Sequence, residues 1–243
     1  MSGVFDFLRG RRRELDAWLA ERELGHTFSL TSYSVYRGVD RLIERHVAGR
    51  CLDAGSGRAP YKARLRERGV ELITLDIENR SGEVDLVADI QHMPAVTSES
   101  VDAVICTEVL EHVADPAAAL GEIARVLRPG GVLVLSVPHL SPIHEAPNDY
   151  YRYTRYGLAH LFERAGLDVL DLSAAGGLFA FLGHGLSHAF FTSASVVRPL
   201  RPAAWALNYV VLVRLLELVD RALGLSSIYA SNWVVLARKR QSS

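Results

Sequence analysis

Chemistry-bearing residues first gather in one short run, Leu52-Asp53-Ala54-Gly55-Ser56-Gly57. It places a carboxylate at the end of an apolar segment and two glycines directly after it. Glycines at such a turn let the backbone come close to a ligand, because a Cβ would stand in the way. Asp76 follows 23 residues after Asp53, at the end of the next apolar segment. A carboxylate there can accept hydrogen bonds from both hydroxyls of a ribose. Asp89 follows a third segment, and its neighbour Ile90 can cover an adenine face. Turn glycines and helix-capping acids also occur without any ligand, so this spacing alone supports a nucleoside site without defining one.

A second group lies further along. His139, His144, Glu145, Asp149, Tyr150, Tyr151, Arg152 and Tyr153 fall within fifteen residues. A proton acceptor facing a substrate can be drawn from this set, with His144 the first choice and His112 the second. The bland alternative is a surface loop whose tyrosines pack on the helix that follows. His139, His144 and Glu145 match no strong metal-ligand spacing, and Pro142 breaks any helix across them, so no metal is expected.

These residues need elements to hold them. Short apolar runs at 51–53, 71–75, 84–88, 101–106, 132–137, 167–172 and 233–237 read as seven strands, separated by helical stretches. Asp115-Pro116 gives an N-cap and a first-turn proline, and Arg128-Pro-Gly-Gly is read as the stop before the fifth strand. Thr154 can cap a helix that ends at Gly166. Before the first strand, 11–24 and 33–47 have helical periodicity. The expected fold is α/β: a Rossmann-like, seven-stranded, mostly parallel sheet with an antiparallel last strand and N-terminal helices. A helical insert lies between strands six and seven. One methyl-bearing position interrupts the glycine series, Ala59, and Pro60 occupies the sixth position of a G-x-G-x-x-G fingerprint. That disfavours a dinucleotide pyrophosphate at this turn.

The stretch from about 49 to 173 resembles the class I S-adenosylmethionine (SAM)-dependent methyltransferases, in particular the broad group acting on small molecules. Asp53-x-Gly55-x-Gly57 resembles their first motif, which often carries a third glycine where this chain has Ala59. Asp76-Ile77 resembles their ribose-binding segment, and Asp89-Ile90 their adenine-binding pair. Cys106-Thr107-Glu108-Val109-Leu110-Glu111-His112 is similar to the segment lining the methionine end, and Leu127-Arg128-Pro129-Gly130-Gly131 to the turn before strand five. The resemblance implies SAM as cofactor, S-adenosylhomocysteine as product, and contacts from Asp53, Gly55, Ser56, Gly57, Asp76, Ile77, Asp89, Ile90, Thr107 and Glu108. It implies methyl transfer to O, N or C of a small, apolar or lipid-linked acceptor. A SAM-binding scaffold without catalysis and an NAD(P)-dependent oxidoreductase are the competing classes.

The bulk numbers fit that reading. With 243 residues, 49% hydrophobic and 23% charged, the chain has globular composition, and a single domain spanning 1–243 is expected. It would comprise N-terminal helices (1–48), a SAM-binding core (49–173), a helical insert (174–230) and a last strand with its tail (231–243). A formal net charge of −1 gives no reason to expect a nucleic-acid partner. Cys51 and Cys106 read as buried thiols in a reducing compartment, and the location is read as cytoplasmic. From Leu172 to Val197 the chain has no charged residue, and Ala203 to Leu223 has the pattern of an amphipathic helix. Arg214, Glu217 and Arg221 are expected on one face, and Val210, Val213, Leu216, Val219 and Leu223 over much of the rest. The insert is read as a lid, a homodimer interface or a peripheral membrane contact. The last is helped by Phe5, Phe7 and the arginines at 9 and 11–13.

Overall fold

In the computed structural model, residues 14, 18–19, 22, 24–80, 82–194 and 197–241 are described. Phe5, Phe7, the N-terminal arginines and most of the 11–24 helix lie outside them. The chain divides into two compact units. One comprises Met1–Arg37 with Ala174–Ser231, the other Gly38–Ser173 with Asn232–Ser243.

The second unit carries the sheet. Its helices are the C-terminal part of α1 (Leu30–His46), α2 (Lys62–Glu67), α3 (Pro116–Val126) and α4 (Arg155–Arg164). The strands are β1 (Arg50–Ala54), β2 (Glu71–Asp76), β3 (Leu86–Val87), β4 (Val101–Thr107), β5 (Leu127–Pro138), β6 (Leu167–Ala175) and β7 (Asn232–Lys239), in the order β3-β2-β1-β4-β5-β7-β6. β1 to β5 pair in parallel, and β7 runs antiparallel to β5. Leu52, Val104, Ile105, Leu133, Leu135 and Val235 are fully or nearly fully buried, as the near-continuous apolar runs require of a sheet covered on both faces. Cys51 and Cys106 are free thiols within it, and burial raises both their pKa values.

The capping residues act as their types dictate. Asp115 accepts hydrogen bonds from the amides of Ala117 and Ala118 at the start of α3, with Pro116 as the first helical residue. Thr154 accepts from Gly157 N at the start of α4, and Gly166 follows its end at φ +73°. The Arg128-Pro-Gly-Gly stretch differs from expectation. It is extended and already part of β5, with an irregularity opposite Val101 and Ala103. Gly131 allows this: a Cβ there would come within 2.9 Å of Arg128 O and 3.0 Å of Asp102 O.

The first unit is helical. It contains the start of α1, then α5 (Leu178–Ala194), α6 (Arg201–Leu207), a π-helical segment (Asn208–Leu215) and α7 (Leu216–Leu223). Leu19, Phe28, Phe191 and Ala204 form one small core, and Leu30, Tyr33, Ala180 and Val213 another. The expected amphipathic helix over 203–223 is present, and the structure shows which of its residues face inward. Glu217 is 8% exposed, whereas Val210 is 61% and Leu218 63% exposed. Glu217 turns inward because Arg37 Nη1 meets its Oε1 at 2.8 Å and Arg221 Nη2 at 2.5 Å. A charge shared between arginines can be buried where a lone one cannot.

Candidate functional site

Parallel strands deliver their carboxyl ends to one edge of the sheet, and the chemistry-bearing residues collect there. Asp53 lies within β1, in register with Thr74 of β2 and Ile105 of β4. Its carboxylate is buried, and Oδ2 has no hydrogen-bond partner. Burial first, then the negative charge of Asp76, push its pKa up to about 7. After β1 the chain turns on Gly55 (φ +80°) and Gly57 (φ +55°), and the amides of Gly55 and Ser56 both donate to Leu75 O. A Cβ on Gly55 would fall 2.3 Å from Val109 Cγ2, whereas one on Gly57 would meet open space. The first glycine is fixed by crowding and the second by its left-handed backbone. Ala59 stands where the family often has a third glycine, and it too takes a left-handed conformation, φ +49°. Ser56 is buried with its hydroxyl unpartnered.

Asp76 closes the turn. Its Oδ2 accepts from Gly57 N at 2.8 Å and its Oδ1 from Glu78 N at 3.2 Å. Ile77 beside it is exposed, whereas Ile90 is buried. Asp89 accepts from both the backbone and the side-chain amide of Gln91.

The segment after β4 adds two more acids, the half-buried Glu108 and the buried Glu111. Thr107 ends the strand, and Glu108 follows with a left-handed backbone, φ +54°. Ser136 Oγ donates to Glu108 Oε1 at 2.7 Å, and Asn232 Nδ2 donates to Oε2 at 2.9 Å. Asn232 reaches this edge because β7 is antiparallel, so its first residue pairs with Pro138 at the end of β5. Burial, reinforced by the charge of Glu111, pushes the Glu108 pKa up to about 7. Glu111 lies in a one-turn 3-10 helix, Leu110–His112, with no exposed surface and no hydrogen bond to either oxygen.

Two histidines face that carboxylate. His112 Nε2 and His144 Nε2 each lie 3.7 Å from Glu111 Oε1, too far for hydrogen bonds, and the two rings meet edge to face at 4.8 Å. His112 Nδ1 is 2.7 Å from Asn148 O, which assigns the proton to that nitrogen. His144 is held by its backbone, whose N–H donates to Asp149 Oδ2 at 2.9 Å. Arg152 grips both oxygens of Asp149 at 2.6 and 2.7 Å. The His144 pKa is raised, by Glu111 first, against the opposing effect of burial. Donor atoms of Glu111, His112 and His144 lie within 4.8 Å of one another, close enough for a cation as well as for a proton.

The tyrosines of the 139–153 loop have mostly structural partners. Tyr153 OH donates to Leu110 O and Tyr151 OH to Ala114 O. The His139 ring packs against Trp233, with 5.8 Å between ring centroids. Sequence reasoning passed over Glu111, Ser136 and Asn232. An acid between Leu110 and His112 in an otherwise apolar run was the available signal for Glu111. Nothing in the sequence linked Asn232 to Glu108.

This fold and edge define a class I SAM-dependent methyltransferase architecture. A family model described as "Methyltransferase domain" matches residues 28–173, more than half of the chain, and the chain belongs to that family. SAM is the cofactor of this class, and the residues present fit it. It is a cation with an ammonium and a ribose, and the edge offers an unpartnered buried carboxylate oxygen at Asp53, a ribose-type acid at Asp76 and open space over Gly57. Among curated proteins, the chain is 33% identical over 106 residues to the ubiquinone biosynthesis O-methyltransferase of Xanthomonas oryzae pv. oryzae. It is 29% identical to that of Alkalilimnicola ehrlichii. The matches take in 38% of this chain and 44% or 43% of those relatives, less than half their length. A Burkholderia thailandensis 1,6-didemethyltoxoflavin-N1-methyltransferase, solved with bound 1,6-didemethyltoxoflavin and S-adenosylhomocysteine, superposes with TM-score 0.57 at 16% identity, covering 99% of this chain and 91% of that one. A putative methyltransferase in complex with the Haloferax volcanii Trm112 activator gives 0.59 at 21% identity, covering 94% and 98%. At these identities the likeness is one of fold.

Proposed function

We propose that the chain transfers the methyl group of SAM to an ionisable hydroxyl of a small, apolar acceptor, with His144 as the general base. The observation that carries this reading is the convergence of His144 Nε2 on the buried Glu111 carboxylate, which accepts no hydrogen bond. The hydroxyl assignment draws support from the O-methyltransferase names of the partial relatives.

SAM supplies an electrophilic methyl on a sulfonium, open to in-line attack. Asp53, Ser56 and the Gly55–Gly57 turn would hold its amino-acid end, and Asp76 with Ile77 its ribose. Asp89 and Ile90 would hold the adenine, while Thr107 and Glu108 line the methionine side. An ionised Asp53 and Glu108 would set negative charge around the positive ligand. His144 Nε2 takes the proton as the acceptor oxygen attacks, and Glu111 stabilises the resulting imidazolium. Asp149 and Arg152 hold His144 in place, and His112 is the second proton acceptor.

Calorimetric titration with S-adenosylhomocysteine tests the cofactor half, and no heat of binding by the intact protein overturns it. Transfer of labelled methyl from SAM to a catechol-type acceptor tests the chemistry. The Glu111–His112–His144 donors favour one second reading, in which a divalent cation rather than His144 activates the hydroxyl. Turnover that persists in EDTA supports the base, and loss restored by a divalent cation supports the metal.

A further inference from the structure

The stretch Arg198–Leu223 is long and apolar enough to cross a membrane by length and composition, yet only 17% of its most apolar window is buried. Its inward side mixes Ala204 and Val213 with polar residues. The residues turned inward include Arg201, Asn208, Glu217 and Asp220, all less than 9% exposed. Each has a partner within the helical unit. Arg201 meets Glu14 at 3.1 Å, and Asn208 Nδ2 donates to Phe28 O at 2.8 Å. Glu217 pairs with Arg37, and Asp220 accepts from the amides of Gly177, Phe179 and Ala180. Leu207, Val210, Val211, Leu215 and Leu218 take the outer side at helical intervals, each between 39% and 63% exposed. An amphipathic helix in water turns its apolar side inward. This one also presents an apolar row outward, and Leu182 and Leu186 of α5 are exposed as well.

Charge distinguishes the possible occupants. Residues 174–231 contain four arginines and two acids, and both acids are the buried Glu217 and Asp220. The exposed side therefore offers apolar groups beside the half-exposed or exposed Arg198, Arg214 and Arg221, which share Glu14 and Glu217 with Arg201 and Arg37, so that arginines outnumber the carboxylates they pair with. A second copy docked symmetrically would bring like charges together. An anionic bilayer supplies both a hydrocarbon boundary for the leucines and phosphates for the arginines.

We propose that the outer side of 198–223 docks in the plane of an anionic lipid surface. This is independent of the methyl-transfer reading, because the residues involved all belong to the helical unit. Flotation with vesicles of phosphatidylcholine, with and without phosphatidylglycerol, tests it on the full chain. The wild type is expected to float with the anionic vesicles, less so in high salt, and far less with the neutral ones. Val211→Glu with Leu215→Glu should lower vesicle binding by about tenfold or more. Val169→Glu, at an exposed position of β6, should leave it unchanged. Thermal unfolding and S-adenosylhomocysteine titration establish that each variant is folded. No flotation of the folded wild type, or equal flotation of the double variant, overturns the proposal. So does a concentration-dependent dimer in sedimentation that the double variant abolishes without any vesicle binding, which would make a second copy the occupant.

Discussion

The two units solve opposite problems with buried charge. In the sheet unit, apolar strands form the interior, and the buried acids Asp53 and Glu111 gather at one edge with carboxylate oxygens that accept no hydrogen bond. In the helical unit the buried acids Glu217 and Asp220 are well supplied with partners, while leucines and valines face outward. Incomplete pairing of a buried carboxylate is costly in the free protein and leaves acceptor capacity for a ligand. Complete pairing adds structure and leaves no such capacity. The contrast separates a site from a scaffold by electrostatics alone.

The largest effect should come from breaking the site. Asp76→Ala removes the acceptor that ties Gly57 to the end of β2, and S-adenosylhomocysteine binding should fall below calorimetric detection. His144→Gln should keep that binding and lower kcat by about 10²- to 10⁴-fold, read by single-turnover methyl transfer. If His144→Gln lost cofactor binding instead, the division of the edge into a cofactor half and a proton-acceptor half would be wrong.

The scaffold should break differently. Asp220→Ala leaves three amides at the start of α5 without their acceptor, and should destabilise the helical unit by about 2–3 kcal/mol in chemical denaturation. S-adenosylhomocysteine affinity should be retained. A variant that lost both would tie the two units energetically.

How much of this was legible in the sequence follows the same division. The sheet and its glycine turn could be read because strand burial and turn backbone are local: Asp115-Pro116 caps a helix wherever it occurs, and Gly55 must be small. The approach of Glu111 to His144 was not legible, because it joins a turn after β4 to a loop after β5. Asn232 was more remote still, brought to Glu108 only by the reversal of β7. The facing of 203–223 was not legible because periodicity locates two sides of a helix without saying which is inward. Arg37 decided that for Glu217, from 180 residues away.

The paired and unpaired acids also predict a pH dependence. Asp53 and Glu108 have folded pKa values near 7, above the usual carboxylate value of about 4, so the folded state holds more protons than the unfolded one between them. Stability without ligand should therefore fall as pH rises from about 4 to about 7, and level off above. His144, with its raised pKa, adds a loss of the same sign as pH rises through its folded value. SAM affinity should increase over the same range, because ionised acids suit a cation. Denaturation midpoints with and without ligand across that range would show the two curves diverging. Parallel curves would mean that these acids do not meet the cofactor.

The smallest effect concerns the interrupted glycine series. Ala59 holds φ +49°, a region that costs a residue with a Cβ about 1 kcal/mol and glycine almost nothing. Glycine also loses more freedom on folding, which offsets part of the relief. Ala59→Gly should therefore stabilise the sheet unit by a few tenths of a kcal/mol to about 1 kcal/mol in chemical denaturation. Ala59 is itself buried, and its methyl contributes contacts that glycine would forfeit. A gain in stability would mean that backbone strain outweighs packing at this turn. A loss would mean that the methyl is held there by its neighbours, and that the departure from the family pattern is an adaptation of the turn rather than a tolerated defect.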